Sequence, residues 1–73
     1  MGKLRVLSGR QVCQILEKHG FVEVRRRGSH IVMQKRAEDT TVTVPVPAHD
    51  SVAIGTLLSI IRQSGLGRGP FES

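Results

Sequence analysis

The stretch GFVEVRRRGSHIVMQKRAEDTTVTVPVP, residues 20–47, decides the fold. Before Gly20 apolar residues recur with a helical period; after it the period becomes 2, as in half-buried strands. Val22 and Val24 alternate with Glu23 and Arg25, which predicts a first strand over 21–26 with the valines facing inward. Gly28-Ser29 breaks that run. The alternation resumes over 30–35, with Ile31 and Met33 on one side and His30, Val32 and Gln34 on the other. Arg36 to Thr40 is a second polar turn, and 41–46 forms a third strand that buries Val42, Val44 and Val46. Pro45 cannot donate to a ladder, so this strand lies at a sheet edge with that position facing outward. The expected arrangement is an antiparallel meander in chain order.

Helices flank the meander. Ser8 followed three residues later by Gln11 matches a capping box, in which side chain and backbone satisfy each other's hydrogen bonds at a helix start. Val12, Ile15, Leu16 and His19 then fall on one helical face, and Gly20 suits a left-handed cap, which predicts a helix over 9–19. After the 47–51 loop, Ile54, Leu57, Leu58 and Ile61, with Ile60 beside them, predict a second helix over 54–64 that ends at Gly65. The reading is an α+β fold of order α-β-β-β-α, one domain over 1–66, with two helices on one face of a three-stranded antiparallel sheet. The tail 67–73 has turn residues and little to bury, so it is expected to be poorly ordered. Antiparallel sheets tolerate one face in water. By strand parity that face carries His30, Val32, Gln34, Glu23, Arg25, Thr41 and Thr43.

A chain of 73 residues supports one modest core, and with no Trp or Tyr and only two Phe that core is aliphatic. The net charge of +5 is uneven. Residues 1–36 hold nine Lys and Arg against two Glu, whereas 37–73 hold two against four acidic groups. A basic half points to a polyanionic partner; a solvated surface that keeps a small protein in solution is the competing reading. Cys13 is the single cysteine, so no internal disulfide forms, and within the first helix it reads as a partly buried inert thiol. No run approaches the ~18 apolar residues of a membrane span, and MGKLRVL lacks the apolar core of a signal peptide, so a soluble cytoplasmic protein is expected.

The chemistry gathers at 25–30. An exposed imidazole titrates near about 6.5 and can accept and donate protons at neutral pH. Arg25, Arg26 and Arg27 offer planar donor forks to phosphate, Lys35 adds a fourth cation, and the backbone around Gly28 and Ser29 can approach a nucleic-acid backbone closely. A proton-shuttling His30 beside a phosphate cradle suits cleavage of RNA through its own 2′-OH, without a metal or other cofactor. A surface histidine beside a solvated arginine run is the plain alternative. Cys13, His19, His30 and His49 show no metal-ligand spacing, and neither a phosphate-binding Gly-rich loop nor a nucleophile elbow occurs. His49 becomes a candidate second acid or base if the 47–51 loop folds toward the second strand.

The series Ser8-Gly9, Leu16-Glu17-Lys18-His19-Gly20-Phe21, Arg27-Gly28-Ser29-His30, Val42-Thr43-Val44-Pro45 and Gly55-Thr56-Leu57-Leu58-Ser59-Ile60-Ile61-Arg62-Gln63-Ser64-Gly65 closely resembles HicA (YcfA-like) toxins over residues 8–66. The resemblance implies a double-stranded-RNA-binding-domain-like fold and an mRNA endoribonuclease, the toxin of a toxin–antitoxin pair. It implies that His30 is catalytic with Gly28 supporting it, and that a HicB-like antitoxin covers the active face. Rival readings from other classes are a non-catalytic RNA-binding module using the same face and an interaction subunit that docks an acidic protein.

Overall fold

A computed structural model describes residues 2–72. Helix α1 (Gly9–Lys18) leads into strands β1 (Val22–Arg27), β2 (His30–Ala37) and β3 (Thr40–Pro47), then helix α2 (Ile54–Ser64) and a 3₁₀ turn (Gly69–Phe71). The sheet is antiparallel with β2 in the centre. Buried residues of both helices join Ile31, Met33, Val44 and Val46 in one cluster, which places both helices on the same sheet face.

Local chemistry sets the limits of α1. The Gln11 amide N–H donates to Ser8 Oγ at 3.1 Å while the Ser8 N–H donates to Gln11 Oε1 at 2.9 Å, completing the capping box. At the other end Gly20 takes φ +94°, its N–H donates to the Glu17 carbonyl, and the Phe21 N–H donates to the Leu16 carbonyl. This is a Schellman motif. It turns the chain so that Phe21, 1% exposed, enters the core beside Leu16.

That turn explains the first correction. Val22 and Val24 do not face inward; they are 58% and 45% exposed. Phe21 already fills the core at this end of β1, and a bulge between Glu23 and Arg25 leaves Val24 without a partner. The extra residue flips the alternation. Glu23, expected on the open face, instead pairs with Met33, and Arg26 pairs with Ile31, both on the helix side; Arg25 and Arg27 pair with Val32 and His30 on the open face. Val32 is buried yet lies outside the core cluster, flanked by Arg25 and Pro45.

The β1–β2 hairpin closes through Gly28 at φ +56° and Ser29 at negative φ, the signs of a type II′ turn. Val44 and Val46 are fully buried, Val42 partly, and Pro45 is exposed as expected for an edge. In α2 the buried stripe is Leu57, Ile60, Ile61 and Ser64, while Ile54 and Leu58 are 58% and 43% exposed. The helix is rotated from the expected stripe, because a polar residue completes the i, i+3, i+4, i+7 set. Ser64 is tolerated there since its hydroxyl donates to the Ile61 carbonyl at 2.9 Å and accepts from the Leu66 N–H.

The ends of the chain also pack. The Val52 N–H donates to the Leu7 carbonyl, the Arg5 N–H to the Phe71 carbonyl, and Leu4 bridges to Glu72. Leu7 and Phe71 are buried. The expectation of a tail with little to bury therefore fails for 67–72, because Phe71 supplies one of the largest core side chains; Ser73 lies outside the described residues.

Candidate active site

His30 is the first residue of β2 and is exposed on the open face. It sits between Arg27 of β1 and Pro47 of β3, with Arg25, Val32 and Pro45 forming the next row. Directly opposed residues hold their Cβ atoms about 4.5–5.5 Å apart, so Arg27 is a lateral neighbour of the imidazole. Among the described residues the ion pairs are Glu23–Arg26 at 3.7 Å and Arg68–Glu72 at 3.0 Å, which leaves Arg25 and Arg27 without a carboxylate partner. Both guanidinium groups keep their full donor sets for a phosphate.

The hairpin tip beside His30 is bare and anchored from behind. No atom lies within 4 Å of a Cβ placed on Gly28. The Ser29 carbonyl accepts from the Ala48 N–H at 2.6 Å, tying the tip to the loop that leaves β3. That loop is held in turn by α1: the Gly9 N–H donates to the His49 carbonyl at 2.9 Å, and a Cβ on Gly9 would overlap the Pro47 carbonyl oxygen and lie 3.1 Å from Ala48 Cα. Gly9, Pro47 and Ala48 thus support the site. Gly9 carried a helix-opening signal only, since its contact partner is 38 positions away and nothing local reveals it.

Not all the expected site residues meet. Arg25, Arg27, Gly28, Ser29 and His30 share one corner of the molecule. Arg26 points by register to the helix side, paired with Glu23. Lys35 lies toward the other end of β2, also by parity on the helix side, with its ammonium 5.9 Å from the Phe21 ring centroid, a cation–π distance. The 47–51 loop does fold against the hairpin, but His49 lines a cleft on the helix side that His30 does not line.

This cleft, of about 680 Å³, lies between α1 and the β1–β2 hairpin. Arg10, Cys13, Gln14, Glu17, Glu23 and Arg26 border it. Burial pushes the Cys13 thiol up to about 11, and the nearby carboxylates of Glu23 and Glu17 add to the shift, so the thiol stays protonated at neutral pH. Among the described residues no group of three or more His, Cys, Asp or Glu is placed to hold a metal ion, and no helix is long and apolar enough to cross a membrane.

Residues 9–66 match the family model described as HicA toxin of bacterial toxin–antitoxin. The chain belongs to the HicA toxin family. The matched span takes in the whole sheet, both helices, His30 and the loop anchored on Gly9, and leaves outside it the two terminal segments that close the core. As a HicA-family member the chain is a toxin component, and the system it belongs to implies an antitoxin partner. No curated protein matches the chain.

Proposed function

We propose that this HicA-family toxin is an mRNA endoribonuclease that works without a metal, using His30 as general acid and base, and that a HicB-like antitoxin neutralises it in the cytoplasm by covering the same face. The observation that carries the reading is the placement of His30 in register with Arg27 on an uncovered sheet face, where Arg25 and Arg27 have no carboxylate partner. The 2′-oxygen of the RNA attacks the adjacent phosphorus, a new 2′-O–P bond forms and the P–O5′ bond breaks. Neutral imidazole takes the 2′-OH proton, and imidazolium returns a proton to the leaving 5′-oxygen. Products are a 2′,3′-cyclic phosphate and a 5′-OH. Arg25 and Arg27 bind the phosphate, Gly28 and Ser29 let the backbone approach, and Arg26 and Lys35 serve as more distant cationic contacts. His49, exposed on the anchored 47–51 loop, is the residue available as a second acid or base when its side chain turns toward β2.

One positioned acid–base group contributes about 10²–10⁴-fold, so turnover is slow. The test is incubation of the protein with single-stranded RNA in EDTA, wild type beside His30→Ala, with fragment ends determined. Wild type alone should cut, leaving cyclic phosphate ends, the variant should lose about 100-fold or more, and an all-deoxy strand should resist. Cleavage by His30→Ala removes the assignment. Binding and protection of RNA by both proteins identifies a non-catalytic RNA-binding module instead.

A further inference from the structure

Around His30 the exposed chemistry is mainly cationic and suits phosphate first. The open face there exposes the guanidinium groups and Pro45, while Val32 and Pro47 are buried. Gln34 and Thr43, the amide and hydroxyl nearest along the sheet, hydrogen-bond each other at 3.2 Å. Beyond the histidines no aromatic ring is exposed for stacking: the chain has no Trp or Tyr, and Phe21 and Phe71 are 1% and 0% exposed. Contacts to phosphate position a strand but read no sequence.

The cleft behind the hairpin has the opposite character. Residues 1–36 contain only two acidic side chains, Glu17 and Glu23, and both border this cleft together with Asp50, the Gln14 amide and the cations Arg10 and Arg26. Three carboxylates in the lining repel phosphate, yet they accept hydrogen bonds well. The cleft lies on the other face of the hairpin, one register pair from the site. The Arg26–Ile31 pair adjoins the Arg27–His30 pair, and Ile31 and Ala48 both border the cleft while Ala48 holds Ser29. At the hairpin tip nothing lies within 4 Å of a Cβ placed on Gly28, which leaves the tip open for a backbone to cross. A volume of about 680 Å³ is in the range of about 300–1,000 Å³ found for small-ligand sites.

We infer that the cleft between α1 and the β1–β2 hairpin is a base-reading subsite, taking one unstacked base of the RNA next to the scissile phosphate and favouring bases with an exocyclic amino group. Unpaired bases are read on their hydrogen-bonding edges. Carboxylates accept from the amino group of cytosine, adenine or guanine, as Glu and Asp do from cytosine N4 in duplex readout. Uracil presents a carbonyl oxygen where cytosine carries its amino group and meets a carboxylate there acceptor to acceptor, with only its N3–H left to donate. Arg26, oriented by Glu23, supplies donors to the ring nitrogens and carbonyls of the accepted bases.

The inference rests on the ribonuclease reading for its biological use, but its test is one of binding, so the two can fail separately. Short oligocytidine, oligoadenosine and oligouridine are titrated by fluorescence anisotropy against full-length protein carrying His30→Ala, which removes cutting from the measurement, with and without Glu17→Gln and Glu23→Gln. The expected result is a preference for cytidine and adenosine over uridine by a factor of about 5 or more, lost in the double Gln variant. Removing two negative charges strengthens binding of every strand alike, so the ratio between strands is the quantity that decides. Both glutamates are exposed, and unchanged thermal unfolding confirms that the variants are folded. Equal binding of all three strands by the parent protein, or a preference that survives both substitutions, overturns the inference and leaves the cleft to a protein partner.

Discussion

Cys13 illustrates how far a side chain's environment governs its chemistry. The thiol, ordinarily near 9.0, is pushed up to about 11, by burial first and by Glu23 and Glu17 after it. Its modification by a thiol reagent at pH 8 should therefore be slow in the folded protein and fast after denaturant is added. The sign of the linkage follows. Below pH 9 folded and unfolded chains both hold the proton; between about 9 and 11 the unfolded chain releases it first, so stability falls as pH rises through that window. A Cys13→Ala variant should lose less stability over that interval than wild type in denaturant titrations. For His30, exposed at the start of β2, substitution by Ala should change unfolding free energy by no more than about 0.5 kcal/mol, the usual scale for surface positions.

Element by element, legibility depended on how local the cause was. The limits of α1 were readable because Ser8, Gln11 and Gly20 act on backbone groups within four residues of themselves. The inward face of β1 was not, since the Val22 and Val24 alternation is overridden by Phe21 in the core and by the bulge, and both depend on partners across the fold. The consequence for the site is that Arg25 and Arg27 reach the face of His30 and Arg26 does not. Gly9 gives a second case of distant cause. Replacing a helical Gly by Ala ordinarily stabilises by about 0.5–1 kcal/mol, but here a Cβ would press on the Pro47 and Ala48 backbone. Gly9→Ala should instead destabilise by about 1–3 kcal/mol, as overpacking does. Because Ala48 holds Ser29, amide chemical shifts at the hairpin tip should move in that variant; an unaltered tip with wild-type stability would show the contact to be slack.

For the molecule as a whole, the three-stranded meander and the order of helices were legible from period and turn chemistry, whereas the closure of the core was not. Phe71 sits among glycines and a proline, a setting that reads as an unstructured end, yet with Leu7 it is fully buried in the core cluster. A domain near this size hides only about 60% of its unfolded surface, so one aromatic side chain weighs heavily. Phe71→Ala should cost about 3–5 kcal/mol against a typical total of about 5–15. Chemical denaturation measures this, and an unchanged midpoint would show that the terminal turn contributes nothing to stability. The prolines of β3 act at the same scale. Ala48 directs its N–H inward to Ser29, so by alternation Pro45 and Pro47 occupy positions whose N–H groups would face outward, and neither has one to offer. The sheet consequently has one edge, β1, with its donors intact, and one that is half blank. Strand addition at β1 can join this sheet to one more chain, but the β3 side gives a growing stack little to grip, so the same two residues that terminate the ladder protect the protein from propagating into fibres.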